Sequence, residues 1–281
     1  MFSTLSAGAI GVQAPNLESA LNAAKVGGFA GTEVNIAEIA RRLDSDGAES
    51  LGQIIAASGI QVAAFGLPTN WRGDEATWLS ELELLKTYAK AAEALDITRT
   101  ATWIMPASND LNFDANRRFH VERFGPIAEI LGEHGISVGL EFIGPKTLRD
   151  QFRYPFIYTL EAMLDMGAEI GDNVGVLLDC WHWFTSGATV EDIEDLVAED
   201  VVYVHVNDAP LGLTVDEQLD NVRCLPGETG VIDTAGFIEA LRTIGYDGPV
   251  TPEPFKKDLA DLPDDEARLR LVGAATNKIL G

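Results

Sequence analysis

The stretch Val174-Gly175-Val176-Leu177-Leu178-Asp179 decides the fold, because it is a continuous apolar run that ends on a carboxylate. Three other runs in the second half of the chain have the same form and end on Glu141, His205 and Glu253. They are Val138-Gly139-Leu140-Glu141, Val201-Val202-Tyr203-Val204-His205 and Pro249-Val250-Thr251-Pro252-Glu253. Continuous apolar runs are typical of parallel strands buried on both faces. Four runs that deliver Glu, Asp, His and Glu at the same end predict a parallel barrel with a metal site at the carboxyl ends of its strands.

On either side of these runs, strand-like and helix-like segments alternate along the chain. The candidate strands cover residues 4–12, 31–34, 61–67, 99–105, 137–143, 173–180, 201–206 and 250–254. Apolar residues at helical spacing cover 16–26, 74–95, 117–134, 157–166, 190–196, 234–244 and 258–279, and one more helical segment is expected between Val34 and Gln61. Asn16 and Asp74 are placed to cap helices, and Gly135 and Gly245 to follow them. We therefore expect a (β/α)8 TIM barrel, although periodicity alone leaves an open doubly wound sheet as an alternative.

Length and composition fit one barrel domain spanning residues 1–281, because such barrels run to about 250 residues. Hydrophobic residues make up 46% of the chain, which is enough for a large core. The formal net charge of -24 argues against nucleic acid as a partner, since nucleic acid binding needs a basic surface. An anionic membrane surface is disfavoured for the same reason.

Cys180 and Cys224 show no disulfide-scaffold spacing and are interpreted as free thiols in a reducing compartment. The first residues lack the basic and apolar regions of a secretion signal, and no stretch approaches the roughly 18 apolar residues of a membrane span. We therefore expect a cytoplasmic protein.

Three carboxylates and one imidazole suit Mn²⁺ or Mg²⁺ best, with Co²⁺ and Zn²⁺ as further candidates. With an open coordination position, such a metal could chelate the adjacent carbonyl and hydroxyl oxygens of a sugar, polarise the carbonyl and stabilise an enediolate. Two glutamates on nearly opposite strands could then remove and return the neighbouring proton. Proton transfer of this kind is an isomerisation or an epimerisation.

Four segments carry a resemblance to a known family over essentially the whole chain. They are Gly139-Leu140-Glu141-Phe142, Leu178-Asp179-Cys180-Trp181-His182, Val204-His205-Val206-Asn207-Asp208 and the run from Arg223 through Pro226-Gly227-Glu228 to Asp233. They resemble the sugar phosphate isomerase/epimerase family of xylose isomerase-like barrels, which includes ketose 3-epimerases and inosose isomerases. Gly245-Tyr246-Asp247-Gly248-Pro249-Val250 followed by Glu253 matches how these proteins enter their last strand.

The resemblance implies a role for each residue of the site. Glu141, Asp179, His205 and Glu253 would bind the metal, and Glu141 and Glu253 would also serve as the catalytic acid/base pair. His182 matches the histidine that binds a substrate hydroxyl in the epimerases, and Arg223 would hold a substrate oxygen or phosphate unless it pairs with a nearby acid. Glu228 either orients a substrate hydroxyl or caps its turn. Lys146 either neutralises an enolate or phosphate or is a solvated loop lysine.

Aromatic residues also gather near the predicted strand ends, where they would suit stacking on a sugar ring or simple packing. They are Phe65, Trp71, Trp103, Trp181 and Trp183.

The sequence departs from the epimerase pattern in the loop behind the metal histidine. The ketose 3-epimerases carry an arginine close behind that histidine, whereas residues 208–213 contain none, so that Arg223 is its only substitute. No cluster of basic residues for a phosphate is evident. A free sugar, an inosose or an oxidised glycoside is therefore at least as good a substrate as a sugar phosphate.

The main alternative is a lyase that shares the first proton abstraction and then expels a β-leaving group. This class comprises an inosose or dehydroshikimate dehydratase and a 3-keto-glycoside deglycosidase. An endonuclease IV-like DNA repair enzyme is disfavoured, because such a site needs about three metals with many histidines, whereas the chain has four histidines and a charge of -24. Family members are often dimers or tetramers, so the resemblance allows a homo-oligomer or a subunit of a larger complex.

Overall fold

A computed structural model describes all 281 residues of the chain. Eight parallel strands close into a barrel in which neighbours in sequence are neighbours in space and the last strand pairs with the first. The barrel strands are β1 (Phe2–Leu5), β2 (Gly31–Glu33), β3 (Gln61–Gly66), β4 (Arg99–Ile104), β5 (Ser137–Phe142), β6 (Val174–Asp179), β7 (Val201–Val206) and β8 (Pro249–Pro252). The predicted TIM barrel is confirmed, and the open-sheet alternative is wrong.

Helices surround the barrel and connect its strands. They are α1 (Leu17–Gly27), α2 (Ile36–Asp46), α3 (Ala48–Ser58), α4 (Glu75–Glu93), α5 (Phe113–Gly132), α6 (Lys146–Arg149), α7 (Leu160–Ile170), α8 (Cys180–Ser186), α9 (Val190–Glu194), α10 (Thr234–Thr243) and α11 (Asp265–Leu280). Short 3-10 turns lie at Gly8–Ile10, Ala198–Asp200, Val215–Glu217 and Lys257–Asp261. None of the helices has both the length and the apolar composition that crossing a bilayer requires.

Local signals at the helix ends behave as the sequence predicts. The side chain of Asn16 accepts a hydrogen bond from the backbone of Ser19, and that of Asp74 accepts one from Thr77. Gly135 and Gly245 follow α5 and α10 with φ angles of 68° and 79°, a left-handed conformation that glycine adopts without strain.

Several boundaries differ from the sequence prediction, and three of these differences change how elements are counted or joined. The first strand ends at Leu5 instead of residue 12, and a 3-10 turn follows it. The single helix expected between Val34 and Gln61 is two helices, because Gly47 has φ 79° and ψ 156° and interrupts the helical path. The helix α8, which was not predicted, starts directly after Asp179, whose side chain accepts a hydrogen bond from Trp181 N and caps it.

The core lies between the outer face of the barrel and the apolar faces of the helices. Strand β7 is buried at all six positions. Strands β5, β6 and β7 contribute Phe142, Leu178 and Val204 to the core, each with no exposed surface. Full burial of one such side chain stabilises the fold by about 1.5–3 kcal/mol. This packing fixes the strands rigidly, so their carboxyl ends hold side chains in defined positions.

Short pieces over the carboxyl ends form a roof. Ala107–Ser108 pairs antiparallel with Tyr154–Pro155, which joins the loops after β4 and β5. Asp208 forms a bridge with Cys224 that folds back the long loop after β7. The loops that the sequence places on the carboxyl side of the strands therefore cover that end of the barrel.

Candidate metal centre and active-site cavity

Four consecutive strands, β5 to β8, each place one potential metal ligand at the carboxyl end of the barrel. Asp179 ends β6 and lies beside His205 of β7 in register, while Glu253 directly follows β8. One ligand atom from each of Glu141, Asp179, His205 and Glu253 lies within 4.8 Å of the other three. The residues singled out by their strand-end positions are thus brought together in one cluster.

The spacing and the unused polar atoms of this cluster fit a divalent metal. His205 Nδ1 lies 3.5 Å from Glu141 Oε1 and 3.6 Å from Glu253 Oε2. His205 Nδ1 and Glu141 Oε1 are buried and have no hydrogen-bond partner, although buried polar atoms usually have one. Ligand atoms arranged tetrahedrally around a metal at about 2.1 Å are ~3.4 Å apart. The cluster therefore has the donor types of a coordination shell, and the two separations from His205 Nδ1 fit one.

The electrostatics of the cluster also favour a cation. Burial raises the pKa of Glu141 to about 7, and the Glu253 carboxylate adds to this effect. For His205, burial disfavours the charged ring, but Glu253 and Glu141 raise its pKa well above the usual value. Burial likewise opposes ionisation of Glu253, yet His205 and Arg223 hold the pKa of Glu253 below its usual value. A bound metal would take the place of the proton on His205, since metal binding requires the neutral ring.

Arg223 is buried in the wall of the cavity, where it holds several carboxylates. Its Nη1 donates to Asp179 Oδ2 at 2.7 Å and to Glu253 Oε2 at 3.0 Å, and its Nη2 donates to Asp220 Oδ1 at 3.0 Å. The Phe255 ring centroid lies 4.7 Å from the guanidinium carbon. Arg223 thus lies in the site as predicted, but most of its hydrogen-bonding capacity is used within the protein, on Asp179, Glu253 and Asp220.

Asn207 supports the same carboxylate from the other side. Its Nδ2 donates to Asp179 Oδ1 at 3.0 Å, and Trp181 N donates to the same oxygen at 2.8 Å. With Arg223 on the second oxygen, Asp179 is fixed in position by three donors. Fixed outer partners of this kind orient the ligands of metal sites.

His182 faces the cavity as a neutral hydrogen-bond donor. The backbone N–H of Gly144 donates to His182 Nδ1 at 3.1 Å, so the proton of the neutral ring is assigned to Nε2. Burial lowers the pKa of His182 to about 3, and Arg223 acts in the same direction. Nε2 lies 3.3 Å from Arg223 Nη2, which can only donate, and 3.8 and 3.9 Å from Asp220 Oδ1 and Glu141 Oε1, so the Nε2 proton has no acceptor within hydrogen-bonding distance in the protein.

Gly144 makes this arrangement possible by its close approach to α8. A Cβ at this position would lie 2.6 Å from the carbonyl oxygen of His182 and 2.9 Å from Ser186 N. Only glycine therefore brings the loop after β5 near enough to bind the histidine ring.

The cluster borders two adjoining chambers. The outer chamber, about 400 Å³, is lined by His182, Asp220, Arg223, Phe255 and others. The inner chamber, about 180 Å³, is lined by Ser6, Glu33, Phe65, Tyr203, His205 and others. Trp103, Glu141 and Glu253 line both chambers. The cluster therefore lies between two spaces that could each receive part of a ligand.

The structure does not bring Lys146 and Glu228 into the wall of either chamber. Lys146 Nζ donates to Asp216 Oδ2 at 2.9 Å, and the lysine side chain is 46% exposed. Glu228 accepts from Leu225 N at 2.8 Å and from Lys256 Nζ at 3.0 Å, so it caps its own turn. These contacts favour the solvated-loop alternative for Lys146 and the turn-capping alternative for Glu228 over substrate binding.

The predicted aromatic residues have different positions. Trp103 lines both chambers, is 45% exposed, and has the guanidinium carbon of Arg72 3.8 Å from its ring centroid. Phe65 lines the inner chamber. Trp71, Trp181 and Trp183 are buried in the core and border neither chamber.

Sequence reasoning missed three polar residues of the cavity and the role of Asn207. Asn207 stands two residues after His205, a signal that could have shown it on the same side of the strand end. Glu33 ends a short strand, and the four candidate ligands likewise lie at or next to the ends of theirs. Nothing in the sequence distinguishes Asp220 or Tyr203.

The sequence of the chain is similar to a known protein family and to several characterised enzymes. A sequence model of the xylose isomerase-like TIM barrel family matches residues 21–271. The inosose isomerase of Halalkalibacterium halodurans is 27% identical over 198 residues, which cover 69% of this chain and 66% of that protein. The 3-dehydroshikimate dehydratase of Pseudomonas putida is 33% identical over 130 residues, 45% of this chain and 19% of that protein. The matches thus span less than two thirds of these curated relatives.

Solved structures have the same fold. A xylose isomerase domain protein from Alicyclobacillus acidocaldarius superposes with a TM-score of 0.84 at 29% identity, covering 99% of this chain and 97% of that one. The IolI protein, whose structure holds a zinc atom, superposes with a TM-score of 0.77 at 19% identity, covering 100% and 98% of the two chains.

Proposed function

The chain belongs to the xylose isomerase-like TIM barrel family, and we propose that it is a divalent-metal-dependent isomerase or epimerase of an uncharged polyhydroxylated ketone. Inososes, the substrates in the names of several curated relatives, are ketones of this class. The proposed catalytic residues are Glu141 and Glu253, which together with Asp179 and His205 would hold the metal.

One observation carries this proposal. Four potential ligand atoms lie within 4.8 Å of one another, and two of them, Glu141 Oε1 and His205 Nδ1, are buried without a hydrogen-bond partner. A purely structural cluster would satisfy these atoms, because an unpaired buried polar group costs about 1–3 kcal/mol. Mn²⁺ and Mg²⁺ suit the oxygen-rich set, and the IolI structure, which has the same fold, holds a zinc atom.

The protein side chains supply the proton transfer. When bound, the metal would act as a Lewis acid on the substrate carbonyl. Glu141 and Glu253 come from β5 and from the end of β8, which are separated by two strands, so they reach the cluster from different sides. One of them removes the proton beside the carbonyl and the other returns it, while the Nε2–H group of His182 donates a hydrogen bond to a substrate oxygen.

The charge of the cavity favours an uncharged substrate. Arg223 is the only lysine or arginine among the residues lining the two chambers, and it already pairs with Asp179, Asp220 and Glu253. Among the lining residues, no lysine or arginine is left unpaired to meet a carboxylate or phosphate of the substrate. The net charge of -24 would also repel an anion during its approach.

A dehydratase is the second candidate, because 3-dehydroshikimate dehydratases are among the relatives. It shares the first proton abstraction and differs in the loss of water that follows. Dehydroshikimate carries a carboxylate, which the cavity has no free cation to receive. Elimination from an uncharged keto-polyol is therefore the form of this alternative that the site best accommodates.

Incubation of the protein with an inosose in D₂O, with Mn²⁺, Mg²⁺, Co²⁺ or Zn²⁺ added singly, tests the proposal. We expect metal-dependent deuterium incorporation and an isomeric ketone, detected by NMR and mass spectrometry. Glu253→Gln should slow the reaction by about 10²- to 10⁴-fold, whereas Glu228→Gln should change it little. Incorporation that survives chelation of the metal would contradict the proposal, and release of water with an unsaturated ketone would identify the dehydratase.

A further inference from the structure

The inner chamber contains a carboxylate that the proposed chemistry does not use. Glu33 ends β2, on the side of the barrel away from Arg223 and Asp220. The hydroxyl group of Tyr203 donates to Glu33 Oε1 at 2.9 Å and is also hydrogen-bonded to Thr251 Oγ1 at 2.7 Å. Tyr203 is 1% exposed, so this contact holds Glu33 from a rigid part of the barrel interior.

Tyr203 also connects Glu33 to the four-ligand cluster. The Tyr203 ring packs edge-on against the His205 ring, with 5.5 Å between the ring centroids. Glu33 therefore has a fixed position relative to the cluster, across the space that Glu141, His205 and Glu253 also line.

The second oxygen of Glu33 is left available. Oε2 accepts no hydrogen bond from the protein, the side chain forms no ion pair, and this oxygen is not sealed from solvent. A carboxylate in this state is an acceptor for donors that a ligand brings. Among the residues that line the inner chamber, Glu33 is the one carboxylate outside the four-ligand cluster.

We propose that the inner chamber is a second subsite, which binds hydroxyl groups at the end of the substrate remote from the reacting carbonyl, with Glu33 as their acceptor. This inference rests on the proposed function and extends it to substrate selection. The inner chamber's 180 Å³ equals the volume of about six waters, enough for part of a sugar or cyclitol. A carboxylate accepts hydrogen bonds from hydroxyl groups and repels anions, so the subsite selects neutral polyols.

A comparison of two ketones of different length tests the subsite. Dihydroxyacetone has the reacting carbonyl and adjacent hydroxyls but is too short to fill both chambers, whereas an inosose has hydroxyls around a six-membered ring. Metal-dependent deuterium incorporation gives kcat/KM for each. We expect Glu33→Gln to lower the inosose-to-dihydroxyacetone ratio of kcat/KM by about 10- to 100-fold, because hydrogen bonds to charged groups are among the stronger ones.

Two further variants test whether the effect of Glu33→Gln comes from the inner chamber or from the loss of any carboxylate charge in the cavity. Asp220→Asn removes the same charge from the outer chamber, and it should affect both ketones alike and leave their ratio unchanged. Tyr203→Phe removes the hydroxyl that holds Glu33 and should lower the ratio by less than Glu33→Gln. An unchanged ratio in Glu33→Gln would overturn the subsite while leaving the proposed function intact.

A binding measurement decides the question even if neither ketone reacts. Calorimetry with myo-inositol and the Mn²⁺-loaded protein should give a dissociation constant at least about fivefold higher for Glu33→Gln than for the unmodified protein. The Mn²⁺ affinity, measured separately, should be equal in the two. Equal affinity for myo-inositol, or no binding by the unmodified protein, would overturn the subsite, whereas the absence of deuterium incorporation would count against the proposed function.

Discussion

Glu141 and Glu228 are both glutamates at the carboxyl-terminal end of the barrel, yet their surroundings differ. Glu141 is buried, has an oxygen without a hydrogen-bond partner, and its pKa is raised to about 7 by burial. Glu228 is bound by a backbone amide and by Lys256, so both of its oxygens are used within the protein. A carboxylate that keeps an unused buried oxygen is available for chemistry, and one that caps a turn is not.

His120 provides a pH test at a single residue, because burial lowers its pKa to about 4. The unfolded chain binds this proton near pH 6.5, so the unfolded state holds more protons between pH 6.5 and 4. The free energy of unfolding should therefore fall as pH decreases through this window. Between pH 7 and pH 4.5, we expect the free energy of unfolding of His120→Gln to fall by ~2 kcal/mol less than that of the unmodified protein. Urea unfolding of both proteins at pH 7 and at pH 4.5 measures this difference.

The surface residue His134 supplies the control for this measurement. Its ring is hydrogen-bonded to Glu93 outside the core, so His134→Gln should follow the unmodified protein more closely than His120→Gln does. Parallel pH curves for the His120→Gln variant and the unmodified protein would contradict the assignment to His120.

Only part of the site can be read from individual residues. The four candidate ligands could be predicted because strand ends in a parallel barrel meet at one edge, and their positions need only the order of the strands. The partners of Lys146 and Arg223 could not, because Asp216 and Asp220 lie in a loop whose path no periodicity defines. Glu33 was missed because its environment comes from Tyr203, which is 170 residues away in sequence.

Among the structural elements, the loop after β7 depends on one buried acid. Asp208 accepts four backbone hydrogen bonds, from Ala209, Thr229, Gly230 and Ile232, at 2.7 to 3.0 Å. These bonds join the start of the loop to its end and enclose the segment that carries Arg223 and Asp220. The loop therefore owes its shape to a side chain rather than to regular secondary structure.

We expect Asp208→Ala to lower the free energy of unfolding by roughly 3–5 kcal/mol, because it leaves several buried N–H groups without acceptors. Turnover should also fall, since Arg223 would lose its fixed position. Denaturant unfolding and an activity assay measure these effects, with Asp216→Asn on the exposed part of the same loop as the control. A loss below about 1 kcal/mol would show that the loop is held by other contacts.

Some elements of the fold could be predicted from the sequence and others could not. Strands β5 to β7 were predicted within one or two residues, because continuous apolar runs between polar segments define them. The break at Gly47 and the start of α8 were missed. Each depends on backbone angles or on a capping contact at one residue, which helical periodicity averages over.

At the scale of the whole molecule, the cluster should link metal binding to stability. We expect Mn²⁺ at about 100 times its dissociation constant to add ~2.7 kcal/mol to the free energy of unfolding. For a chain of this size, that corresponds to a rise in Tm of roughly 5 °C. Differential scanning calorimetry with Mn²⁺ and with a chelator measures the difference.

Matched variants locate the source of this shift. Glu141→Gln should abolish most of the rise in Tm, whereas Glu228→Gln should retain it, because Glu228 lies outside the cluster. A full shift in Glu141→Gln would place metal binding elsewhere in the molecule.

The closure of the barrel has a consequence for how the protein is made. Strand β8 pairs with β1, and Glu253 follows β8 directly, so closure of the cylinder and arrival of the fourth ligand occur at the same step of assembly. A nascent chain synthesised only as far as β7 has three of the four ligands and an open sheet. Tight capture of an ion by the proposed site would therefore be reserved for molecules that have completed their fold, and incompletely translated or misassembled chains would compete poorly for the cell's metal supply.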